Sequence, residues 1–172
     1  MPEPEPSDGL KPKSAEQTAE RILALLVAVG KVYDPERCVA WMKKHNLGQF
    51  LSPAEAAFVQ EARPVEESRV AFSWRAEAMV SLLWALKILP EMPPFDEQFD
   101  VFAIEAVQAA LKDPLEFVSN VRLREAQVIC DMESNLYHQH WRVRDRDLGL
   151  NVAKTLEPQP GDVQTTLHGA GR

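Results

Sequence analysis

The hydrophobic pattern along the chain begins with one unbroken apolar run. "ILALLVAV", residues 22–29, follows the stretch "SAEQ", which has the S-x-x-Q form of a capping box. In such a box Ser14 and Gln17 satisfy the free amides at a helix start. The pattern predicts a helix from Ser14, ending at or beside Gly30. "DPER" predicts the next start, with Asp34 as acceptor and Pro35 in the first turn, where its missing donor costs nothing. This helix should run to about His45, with Gly48 just beyond. "SPAE" repeats the logic at Ser52, Pro53 and Glu55 and opens a short helix through Ala62.

Residues 66–89, "EESRVAFSWRAEAMVSLLWALKIL", are apolar on nearly every side at helical spacing. That is the mark of a helix enclosed by others, and it makes this segment the predicted central helix. "PEMPP" breaks it, because consecutive prolines cannot donate to a helical ladder. Asp100 then caps a helix of roughly 101–112, Pro114 interrupts, and a long helix covers about 123–147 before Gly149. No segment alternates apolar and polar residues between turn dipeptides, so no sheet is expected. The prediction is therefore all-α: a single compact multi-helix domain over 14–150, with a buried central helix. The proline-rich residues 1–13 and the apolar-poor residues 151–172 are expected to be disordered tails.

Composition narrows the classes. With 45% hydrophobic and 26% charged residues in 172, the chain has enough apolar material for a core. The net charge of −7 opposes a phosphate backbone, and the acids Asp145 and Asp147 alternate with Arg142, Arg144 and Arg146, so nucleic acid is not an expected partner. The longest apolar run is too short to span a bilayer, and no signal-peptide pattern opens the chain. Two distant cysteines, Cys38 and Cys130, fit a reducing compartment, so a cytoplasmic location and no membrane partner are expected, although spacing alone leaves one bridge possible.

The chemistry-bearing residues concentrate in "LYHQHWRVRD", residues 136–145. On a helix, His138 and His140 diverge by about 200° and cannot share one metal. His140 falls on the stripe of Ile129, Met132, Leu136 and Val143, which predicts an inward imidazole. Glu133, Tyr137, His140 and Arg144 follow at steps of four, three and four, forming a polar seam. The predicted central helix supplies Glu77 on a face with Trp74, Ser81, Trp84 and Ile88. A carboxylate there must either reach solvent or be paired, because an isolated buried charge is very costly. Glu77, Glu133, Tyr137, His140 and Arg144 are thus expected to be a buried, structural polar seam. The competing reading makes Glu77 and His140 the acid/base pair of a hydrolytic enzyme, with Tyr137 and Arg144 binding an anionic substrate. Cys38, Trp41, Met42 and His45 share a helical face but fall short of a four-ligand zinc site, so no metal is expected. With seven glycines and no G-x-G-x-x-G or G-x-x-x-x-G-K-S/T pattern, no nucleotide or other cofactor is expected either.

Three stretches, "SAEQTAERILALL", "WRAEAMVSLLWALKIL" with "MPPFDEQFDV", and "LREAQVICDMESNLYHQHWRVRDRDLG", resemble a bacterial family of domains of unknown function, DUF4272, over roughly residues 14–150. The most specific parts are W-x-x-E-x(6)-W at Trp74, Glu77 and Trp84, and the H-W-x-x-R/D segment at His140, Trp141, Arg144 and Asp145. The resemblance implies a helical cytoplasmic domain and carries over no catalytic residue. Relatives usually continue into an Arg/His-rich amphipathic helix where this chain has "GDVQTTLHGAGR". If that helix covers core, its loss would open an apolar groove to a partner or a second copy. The functional expectation is a protein-binding or regulatory module of immunity or adaptor type, acting through an unknown protein partner or self-association.

Overall fold

The computed structural model describes residues 13–94 and 99–148, without the side chains of Val143 and residues 145–148. The predicted tails, 1–13 and 151–172, lie outside the described residues except for Lys13, which is exposed. Among the described residues the fold is all-α, with no strand. These residues divide into two units: those up to Met92 together with Asp100–Leu123, and Pro93, Pro94 and Phe99 together with those from Arg124 onward.

In the first unit, helix α1 (Ala15–Tyr33) is the hub, packing against α2 (Pro35–Lys44), α3 (Pro53–Gln60), α4 (Glu66–Ser73), α5 (Arg75–Ala85) and α7 (Pro114–Asn120). Its start is the predicted capping box: Gln17 N–H donates to Ser14 Oγ at 3.1 Å, and Ser14 N–H donates to Gln17 Oε1 at 3.0 Å. Every residue from Ile22 to Val29 is buried. Each fully buried Leu, Ile or Val side chain contributes about 1.5–3 kcal/mol, so this run is the core's backbone.

The enclosed helix is therefore α1 and not residues 66–89, which corrects the expectation above. The physical reason is charge. From Ile22 to Gly30 α1 carries no ionisable residue, whereas Glu66, Glu67, Arg69, Arg75 and Glu77 punctuate the later segment. A helix surrounded by protein cannot leave such groups unpaired, and all five face solvent.

The remaining starts follow from capping chemistry. Asp34 Oδ1 accepts from Arg37 N–H at 3.2 Å, with Pro35 in the first turn. α2 then lies close to α1 at Gly30, where a Cβ would meet Cys38 Sγ at 3.3 Å. Trp41 Nε1–H ties α2 to the end of α6 (Glu105–Lys112), donating to the Leu111 carbonyl at 2.9 Å. Asp100 does cap, but only the short 3-10 turn Val101–Ala103, and α6 follows it. Pro114 does not simply interrupt. Asp113 Oδ1 accepts from Glu116 N–H at 3.0 Å, so Asp113-Pro114 starts α7 just as Asp34-Pro35 starts α2.

In the second unit, α8 (Ala126–Leu148) is a long helix near its predicted limits. Gln127 Nε2–H donates to Asp131 Oδ1 one turn on, at 2.9 Å.

Candidate docking face on the fourth and fifth helices

The segment read from sequence as one inward helix is two short helices, α4 and α5, joined at Trp74. Trp74 N–H donates to the Val70 carbonyl at 3.3 Å, and Glu77 N–H donates to the Trp74 carbonyl at 3.2 Å. The backbone thus tightens for one step without reversing direction, and side-chain faces carry across the joint.

Two anchors set which face points in. Phe72 stacks on the buried Phe58 of α3, with ring centroids 4.0 Å apart and planes at 18°. The Arg75 guanidinium lies 5.8 Å from the Phe72 centroid, a cation–π contact on that same side. On α5, Met79, Val80, Leu83 and Trp84 are buried, and α5 packs on α1. α5 ends in a Schellman-type turn: Ile88 N–H reaches the Leu83 carbonyl and Lys87 N–H the Trp84 carbonyl, both at 3.0 Å, with Lys87 at φ 60°.

With Phe72, Met79, Val80, Leu83 and Trp84 inward, the opposite face is turned to solvent. Glu66, Glu67, Val70, Trp74, Glu77, Ala78 and Ser81 recur at three- and four-residue steps, and all are exposed. Trp74 is 68% exposed and Val70 is 46% exposed. An aromatic of this size buries on the order of 200 Å², so keeping Trp74 in water forgoes about 3 kcal/mol of apolar stabilisation. Tyr33 and Leu115 are also exposed, but neither has another exposed large apolar residue within one turn of its own helix.

Glu77 is thus on the solvent side of α5, which corrects its expected burial. Glu133, Tyr137, His140 and Arg144 occupy the predicted helical steps on α8, yet each is exposed there as well. Among the described residues no side-chain hydrogen bond or ion pair joins the four on α8 to one another. The less exposed arc of α8 runs through Met132, Asn135, Leu136, Gln139 and Arg142. His140 lies about 40° past Leu136 on the helix, at the edge of that arc and exposed, while His138, about 200° from it, is half-buried. Tyr137 instead meets rings of its own helix, Trp141 edge-on and His138 tilted, both at 6.2 Å.

A buried ion pair lies elsewhere, one that sequence reasoning missed. Arg21 of α1 grips Glu55 of α3 with both guanidinium nitrogens, at 2.7 and 2.6 Å. Glu55 is 1% exposed and also closes the α3 capping box, accepting from Ser52 N–H at 2.9 Å. Burial pushes its carboxyl pKa up, but the hydrogen bonds from Arg21 and Ser52 and the Arg21 charge outweigh burial and hold it below the usual value. The signal for Glu55 was its place in the capping box. Nothing local marked Arg21 as its partner.

Cys38 is buried, and its Sγ–H donates to the Val27 carbonyl at 3.0 Å. Burial raises its thiol to about 11, which makes it a poor nucleophile. Trp41, Met42 and His45 beside it are half-buried, with the Trp41 and His45 rings 6.1 Å apart. Among the described residues no group of three His, Cys, Asp or Glu is placed to hold a metal, and no helix is long and apolar enough to cross a membrane.

The sequence model of a family described as Domain of unknown function (DUF4272) matches residues 1–163. No curated protein and no solved structure matches the chain.

Proposed function

Since the chain belongs to the DUF4272 family, whose description assigns no activity, we propose a function from geometry: a protein-binding module of adaptor type that docks partners on the α4–α5 face. The observation carrying this reading is Trp74, 68% exposed on a face with Val70, while its neighbours Phe72 and Met79 are drawn inward. Exposed tryptophan on a rigid helix is the residue type that most often dominates binding energy in protein interfaces. A cytoplasmic setting suits the two free thiols, one of which, Cys130, is exposed.

The acid/base reading asks more of Glu77 and His140 than their settings supply. A general base tuned towards neutrality needs desolvation or a charged neighbour. Glu77 on α5 and His140 on α8 each face solvent.

Photo-crosslinking in the native host tests the docking reading, with benzoylphenylalanine placed at position 74 and, as a control, at the exposed Glu36 of α2. A discrete adduct from position 74 that is missing from position 36 is expected. Identical patterns from both positions, or none from either, would sink the reading.

A further inference from the structure

The α4–α5 face has a charge pattern as well as an apolar ridge. Val70 and Trp74 form the ridge, with Glu66 and Glu67 one turn before it and Glu77 one turn after, all exposed. Neither cation of these two helices reaches Glu67 or Glu77. Arg69 pairs with Glu66 at 3.1 Å, and Arg75 lies over Phe72 on the anchored side. Among the described residues Glu67 and Glu77 have no ion-pair partner, so acid brackets the ridge at both ends, in a chain of net charge −7. A second copy laid antiparallel on this face would bring Glu67 towards Glu77 of its mate, which like-charge repulsion opposes.

Resting on the docking reading above, we infer that the occupant of this face is a basic amphipathic helix: an apolar stripe that covers Val70 and Trp74, flanked by lysine or arginine that meets Glu67 and Glu77. Charge at both ends of the ridge fixes the register of such a helix and speeds its encounter. The apolar ridge supplies the hold.

The test is a titration of the full chain with three synthetic helices of about eighteen residues, five turns. All carry the same leucine face, and their polar face is lysine, glutamine or glutamate. Binding is followed by calorimetry and by tryptophan emission, and circular dichroism verifies that each variant is folded. The lysine helix should bind one to one and weaken as salt rises. Trp74→Ala should weaken it about thirtyfold, as for an interface anchor. Glu67→Gln with Glu77→Gln should weaken it severalfold, and Tyr137→Ala on α8 should leave it unchanged.

If the glutamine or glutamate helix binds as tightly and with the same dependence on Trp74, the basic partner is wrong and the docking reading survives. A Trp74-dependent dimer of the chain alone, seen by sedimentation, would likewise replace the basic helix with a second copy. Lysine-helix binding that ignores Trp74 overturns the inference. So does the lack of binding by all three helices, and if position 74 also yields no crosslink, the docking reading falls with it.

Discussion

Removing the Arg21 guanidinium should be among the most costly single changes available in this chain. Glu55 is 1% exposed and draws two of its hydrogen bonds from Arg21, so Arg21→Ala leaves a carboxylate in the core with only Ser52 to hold it. Breaking a buried pair from one side costs about 3–5 kcal/mol. Glu55→Gln should cost less, about 2 kcal/mol, because the Arg21 side chain is 28% exposed and its freed charge can rehydrate. Replacing both, Arg21→Met with Glu55→Leu, removes the uncompensated charge and should recover most of the loss. What remains is the lost Ser52–Glu55 cap, about 1 kcal/mol. Urea unfolding followed by helical circular dichroism measures all three. The pair also sets an acid limit. The Glu55 carboxyl is held below its unfolded value of 4.5, so its contribution is complete above that pH and is lost as pH falls through the lower folded value. Glu55→Gln should flatten the stability profile in that window. An Arg21→Ala cost under 1 kcal/mol, or an unchanged acid profile in Glu55→Gln, would refute the reasoning.

Further outcomes follow from the same placements. A thiol reagent should modify Cys130 at once in the folded chain and reach Cys38 only on unfolding; equal rates would contradict the buried, raised-pKa thiol. Lys87→Gly should stabilise by about 0.5–1 kcal/mol, because Lys87 occupies a left-handed position that glycine adopts freely; a loss in melting would argue against that turn. Glu77→Gln and Trp74→Ala should each change unfolding free energy by less than about 0.5 kcal/mol, as surface substitutions do. Met79→Ala, at a fully buried site one turn away, should cost about 2–5 kcal/mol.

The helix starts were legible because their causes are local. Ser14 with Gln17, Asp34 with Pro35, and Ser52 with Glu55 each satisfy amides within one turn, so their spacing alone declares them. Asp113-Pro114 carries the same signal, masked by the more familiar one that proline stops the helix before it. Orientation was less legible. Trp74 and Trp84 are the same residue type ten positions apart, yet one is 68% and the other 6% exposed. Their faces are set by contacts distant in sequence, such as Phe72 on Phe58 and Val80 and Leu83 turned into the core, and periodicity over a segment apolar on most sides does not choose between them. The Arg21–Glu55 pair spans thirty-four residues and left no local mark beyond the cap. The resemblance to the family was likewise readable from short motifs, and Trp74 and Glu77, within its most specific motif, lie on the face proposed to dock.

Quenching of Trp74 emission, taken as the difference between the native chain and Trp74→Phe, tests the central claim most directly. An indole in water between carboxylates should emit at long wavelength and, relative to free N-acetyltryptophanamide at equal ionic strength, be quenched more by caesium ions and less by iodide. A blue-shifted component that neither ion reaches, or a caesium-to-iodide ratio no higher than that of the free indole, would contradict the exposed acidic face that the proposed docking requires.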